Sequence, residues 1–81
     1  MSVSKKIIKI ISESLGVEKE KITPESDFFE DLNADKLEVA DLILKIQQVF
    51  EVNIPEDRLN KIQKVSDLIN EVEVNSDFLN E

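Results

Sequence analysis

The chain has no cysteine, no histidine, no tryptophan and no tyrosine, and only one glycine and two prolines in 81 residues. Without cysteine there is no disulfide, no thiolate nucleophile and no zinc–thiolate site. Without histidine the commonest general base near neutral pH and the commonest transition-metal ligand are missing. Positive charge is also scarce: 10 Lys+Arg stand against 18 Asp+Glu, a net charge of −8. An acidic surface repels phosphate backbones, which argues against a nucleic-acid-binding role. It favours basic protein surfaces as partners, where long-range attraction speeds encounter. No apolar run approaches the roughly 18 residues of a membrane span. Lys9, Ser12 and Glu13 interrupt the apolar run that follows Lys5 and Lys6, so the N-terminus does not read as a signal peptide, and the cytoplasm is the expected compartment. At 41% hydrophobic the chain is too apolar for disorder. Its length predicts one domain over residues 1–81, a monomer with a small core.

What is present is helical periodicity. Val3, Ile7, Ile11 and Leu15 recur every fourth residue, with Ile8 beside them, and predict a helix over about 2–15. Gly16 follows at once, where a helix C-cap needs a left-handed residue. From Val17 to Asp35 the period is lost. Thr23, Pro24 and Glu25 have the order of an N-cap, a first-turn proline and an acid, and predict a short helical turn. Phe28, Phe29 and Leu32 are the apolar anchors of this long loop over 16–35, and a loop of that length is often functional.

A second helix is expected over about 36–50. Asp35 is a good N-cap and Glu38 stands three residues on, as in a capping box. Val39, Leu42, Ile43, Ile46 and Phe50 form its apolar stripe. Leu37 and Leu44 are seven residues apart and share a second face with Asp41, at the edge of that stripe. Proline at 55 ends the helical pattern, because it disfavours helical backbone in the residue before it. A short helix is expected over about 56–60. The last helix begins near Val65 or Ser66, with Ser66 and Asp67 as capping candidates and Val65, Leu68, Ile69 and Val72 as its stripe. It runs to 74 or beyond, with Phe78 and Leu79 as further packing candidates. Ile54 and Ile62 complete the predicted interior. The fold class is all-α: a small antiparallel bundle of three main helices plus one short helix, with a long first loop.

Charge is segregated. Three lysines against one glutamate leave +2 on residues 1–15, whereas three basic against ten acidic residues leave −7 on residues 22–60. Asp31, Asn33 and Asp35 match the first three ligand positions of an EF-hand loop. Lys36 replaces the required glycine, however, and Leu42 replaces the bidentate glutamate. The better reading is a set of solvated acids and a helix cap, with no metal site. No paired carboxylates stand out for acid–base work, no serine has a histidine partner, and no glycine-rich loop exists to cradle a phosphate, so the chain does not read as an enzyme.

The stretch Phe28-Phe29-Glu30-Asp31-Leu32-Asn33-Ala34-Asp35-Lys36-Leu37-Glu38 resembles the signature of acyl carrier proteins, F-x-x-D-L-G-x-D-S-L. Ile22-Thr23-Pro24-Glu25-Ser26 is similar to the beginning of that family's long loop. Val39-Ala40-Asp41-Leu42 resembles the body of its second helix, and Phe50-Glu51-Val52-Asn53-Ile54-Pro55-Glu56-Asp57 its F-x-x-x-I-P-x-D/E ending. The resemblance spans about residues 3–74. It implies the acyl-carrier-protein fold and a carrier tied to bacterial-type fatty acid synthesis. In the family, the serine of D-S-L carries 4′-phosphopantetheine and the interior shelters the acyl chain. Asn33 stands where glycine is usual, a mild change because asparagine tolerates left-handed backbone. Lys36 stands at the serine position, a severe change, because an ammonium group cannot form the phosphodiester. Ser26 and Ser66 lack the D-S-L context. The resemblance therefore implies a chain with no cofactor of its own: an apo-locked variant or inactive homologue. Lys36 carrying an amide-linked acyl group is a further option.

The same resemblance implies partner docking through Asp35, Leu37, Glu38, Asp41 and Leu44, onto basic patches of fatty-acid-synthesis enzymes and of phosphopantetheinyl transferase. Gln47 and Gln48 stand where acids are frequent in the family. Two alternatives remain open. One is a non-carrier interaction module that uses the same acidic helix; the other is a carrier for amino acid or polyketide cargo.

Overall fold

The computed structural model describes residues 2–75. Phe78 and Leu79 lie outside the described residues. The architecture is all-helical: α1 (Val3–Leu15), α2 (Lys36–Phe50), the short α3 (Glu56–Leu59) and α4 (Val65–Asn75). α1 packs on both α2 and α4, and α2 packs on α4.

α1 begins with Ser2 accepting the Lys5 N–H at 3.2 Å, and ends at Gly16, whose φ of 69° lets its N–H reach Ser12 O at 2.9 Å. Its inward face is Ile7, Ile10 and Ile11. Val3 and Leu15, expected inside, are only partly buried, because they lie at the open ends of the helix. Ile10 takes the interior place instead.

The loop differs from expectation at one point. A 3-10 turn forms at Lys19–Lys21, where none is expected, while Thr23–Ser26 closes a single turn with the Ser26 N–H on Thr23 O at 3.0 Å and does not extend into a helix. Thr23 does not cap a helix. Its N–H donates to Ser26 Oγ (3.0 Å), and the Pro24 carbonyl accepts the Ser66 N–H from α4 (2.9 Å). The Thr23 bonds stay within the turn, and the Pro24 carbonyl ties it to α4. Phe28 and Leu32 are buried and Phe29 partly so. Ile22, Ala34, Val52 and Ile54 add to the same core from non-helical backbone.

α4 starts differently from either capping candidate acting as an N-cap. The Asp67 carboxylate reaches back from the first turn to accept the N–H groups of Gln63 (3.1 Å) and Lys64 (2.9 Å), and the Ser66 N–H is spent on the loop. α3 is tied to α4 by an ion pair. Arg58 donates through Nε (2.9 Å) and Nη2 (2.6 Å) to Glu71 Oε2. That contact raises the Arg58 guanidinium above its ordinary pKa, the hydrogen bond first and the charge of Glu71 second.

Candidate functional site: the start of α2 and its groove

Two structures meet at the start of α2: a loop that aims it and a helix face that is exposed. The loop is a closed network around Asp27, which is itself buried. Asp27 Oδ1 accepts the N–H groups of Phe29 (2.8 Å) and Glu30 (3.0 Å), and Oδ2 accepts Gln63 Nε2 (2.9 Å). Asp31 Oδ2 returns the contact by accepting the Asp27 N–H at 2.7 Å. Bonds to the charged form hold the Asp27 carboxyl below its ordinary range; the Glu30 N–H is the leading cause, and burial opposes it. Phe28 N–H donates to Gln63 O, and Val65 N–H to Ser26 O, both at 2.9 Å, so a short antiparallel bridge fastens the loop to the front of α4. Asn33 then turns the chain with φ of 58°, a left-handed conformation that asparagine accepts more readily than most residues.

Asp31, Asn33 and Asp35 thus have separate structural duties: a loop contact, a left-handed turn and a helix cap. No group of three acidic residues suited to a metal ion occurs among the described residues. Asp35 and Glu38 form a complete capping box. Glu38 N–H donates to Asp35 Oδ1 at 2.8 Å, and Asp35 N–H to Glu38 Oε1 at 2.9 Å.

The box sets Lys36 as the first residue of α2, exposed, with no ion pair among the described residues. Behind it the helix buries Val39, Leu42, Ile43, Ile46 and Phe50. The other face is unusual. Leu37 is 74% exposed and Leu44 55% exposed, with Glu38 and Asp41 exposed beside them. The two leucines are therefore not core. The residues singled out from the sequence here, Asp35, Lys36, Leu37, Glu38, Asp41 and Leu44, all lie on solvent-facing parts of α2 and its N-cap. Lys36, Asp41 and Leu44 also rim a half-open groove of about 630 Å³ between α2 and the 56–63 segment, floored by Val39, Ile43 and Ile62. That volume is within the range of about 300–1,000 Å³ usual for small-molecule sites.

A phosphodiester-linked arm needs an exposed hydroxyl at this place. Lys36 offers an amine. The Ser26 residue is buried, with its hydroxyl 3.2 Å from Thr23 Oγ1, and Ser66 opens a different helix. The residues present do not fit a phosphopantetheine arm at the start of α2.

Several structural contributors carried no sequence signal. Gln47, read only as a replaced acid, accepts the Ile54 N–H through Oε1 at 2.9 Å. Glu51 ends α2 in left-handed backbone, φ 54°, with no glycine to mark it. The Asp27–Gln63 and Arg58–Glu71 contacts join residues far apart in sequence, which no local pattern reports.

The comparisons with known proteins agree with this fold. The family model described as "Phosphopantetheine attachment site" matches residues 5–72, a span that encloses the whole loop and α2. Among solved structures, the acyl carrier protein of Enterococcus faecalis, described for its high thermal stability, superposes with a TM-score of 0.77 at 30% identity. The match covers 91% of this chain and 94% of that one. No helix among the described residues is long and apolar enough to cross a membrane. By the matching family model and by the solved relative, the chain belongs to the phosphopantetheine-attachment family of acyl-carrier-like proteins.

Proposed function

We propose that the chain is an acyl-carrier scaffold of bacterial-type fatty acid synthesis that carries no prosthetic arm, because Lys36 occupies the place of the attachment serine. Its work is then recognition rather than chemistry. It is a docking module and not an enzyme. The docking surface is the exposed face of α2: Leu37 and Leu44 as apolar contacts, Asp35, Glu38 and Asp41 as the acids that meet a basic patch. The observation that carries this reading is the exposure of both leucines within an acidic helix face. Val74 on α4 is exposed as well, so exposure alone does not carry the argument. What supports docking is that both leucines share one face with Glu38 and Asp41, an apolar centre with a charged surround.

Phosphopantetheinyl transferase and a basic-patch enzyme of fatty acid synthesis are the partners to try. Titration of the chain with a transferase across a salt series should show affinity that falls with ionic strength. Asp41→Lys should weaken binding about tenfold at low salt and flatten the salt dependence. Equal affinity of the Asp41→Lys variant at low salt would remove α2 as the docking face.

A further inference from the structure

One wall of the groove is thin. α3 has four residues, none of them fully buried, and Leu59 is its partly buried contact with the core. A helix of one turn does not hold itself in water. The segment is fastened at its leading end by Ile54 N–H donating to Gln47 Oε1 (2.9 Å), and at its trailing end by Gln63 on Asp27 (2.9 Å) and on Asp67 (3.1 Å). Between these points, among the described residues, the side-chain tie is Arg58 to Glu71. The Glu71 side chain is 11% exposed and that of Arg58 49%. Asn75 Nδ2 donates to the Glu71 backbone O at 2.7 Å and approaches its Oε1 at 3.4 Å, which steadies the acceptor. Arg58 therefore pulls α3 towards α4, while Glu56, Leu59 and Asn60 on the same segment line the groove that faces α2. The floor of the groove is already buried, but Leu44, which is exposed, and Phe29 and Leu59, which are partly buried, also line it, and closure would take these from water.

We propose that the Arg58–Glu71 pair is a latch that holds α3 against α4 and keeps the groove beside Lys36 open. Released, α3 moves onto α2 and the groove closes. The latch answers to ionic strength, because half of Arg58 faces solvent and dissolved ions screen it. It also answers to any acidic group that competes for Arg58. Closure would also cover Asp41 and Leu44 on the groove's rim, but the relaxation test below reads the position of α3 without any docking partner.

The absence of cysteine makes the test clean. Ala40→Cys places a single nitroxide label on the α2 side of the groove, and paramagnetic relaxation of the backbone amides then reports how near each segment comes. In Arg58→Gln and Glu71→Gln, the ratio of closed to open forms should rise about two- to fivefold, the range for partly exposed ion pairs. Enhanced relaxation should be confined to residues 56–60, with amides of α1 unchanged. Salt at about 1 M, where the Debye length is about 3 Å, should produce the same rise in the parent chain and none in Glu71→Gln. Unchanged or weaker relaxation at 56–60 would overturn the latch. So would hydrogen exchange that quickens equally in α1 and in 56–60, since the pair would then only stabilise the whole fold.

Discussion

The two faces of α2 obey different rules. On one, Val39, Leu42, Ile43, Ile46 and Phe50 are buried, and their identity follows from packing against α1 and α4. On the other, Leu37 and Leu44 lie exposed among Glu38 and Asp41. The side chains are of similar size and apolarity; only their surroundings differ. Burial of a leucine or isoleucine stabilises by about 1.5–3 kcal/mol, and exposure returns nothing. The buried face is therefore explained by folding, and the proposed docking role gives the exposed face its own explanation.

Breaking that contrast begins with the largest effect. Ile46 is fully buried. Ile46→Ala should cost about 2–5 kcal/mol in urea unfolding. A loss near zero would mean that the buried face is not what holds α2. The paired change Leu37→Ala and Leu44→Ala should instead alter stability by no more than about 0.5 kcal/mol. The same pair should lose about 1–2 kcal/mol of affinity for a transferase, as truncated contact residues do. A large stability loss with unaltered binding would reverse the assignment of the two faces.

Smaller changes sharpen the account. Glu51 closes α2 in left-handed backbone, far along the helix from the proposed contacts. Glu51→Gly should raise stability by about 0.5–1 kcal/mol, by relieving the side-chain clash of that conformation. Binding should not change, which separates stability from docking. Asp27 governs the loop that presents the helix start. Its folded pKa lies below the unfolded value of about 3.9, so its stabilisation is present above that pH and fades as the pH falls through the folded value. Acid titration of unfolding should therefore show less loss below about pH 4 in Asp27→Asn than in the parent chain. An identical acid profile would exclude Asp27 as a contributor.

Legibility in the sequence followed the range of the interaction. Period-four isoleucines, Gly16 and the Asp35/Glu38 pair are local signals, and they set the course of α1, its end and the start of α2. The left-handed turn at Asn33 was legible through the family resemblance. Thr23, Pro24 and Glu25 mark a single turn closed on Ser26, which stops short of a helix because the Pro24 carbonyl is taken by Ser66, whereas the 3-10 turn at Lys19–Lys21 has no such marker. Ile10, Ile22, Ala34 and Val52 entered the core from helix-edge or loop positions, where no periodicity marks burial. Leu37 and Leu44 stood at the edge of the α2 stripe, and only packing decided that they face water. The Arg58–Glu71 and Asp27–Gln63 contacts depend on the assembled fold, so one sequence carries no trace of them. At the candidate site, the chemistry of Lys36 was legible from its residue type, while the groove beside it was not.

In the proposed function, this chain keeps a carrier's scaffold and loses the arm at one residue. Intact mass before and after incubation with coenzyme A and an active phosphopantetheinyl transferase tests it most directly, with Lys36→Ser alongside. The parent chain should gain nothing and the serine variant should gain one phosphopantetheine. A gain on the parent chain would contradict it, because the arm would then sit on a residue other than Lys36. A gain on neither would contradict it too, and would favour an interaction module that was never a carrier.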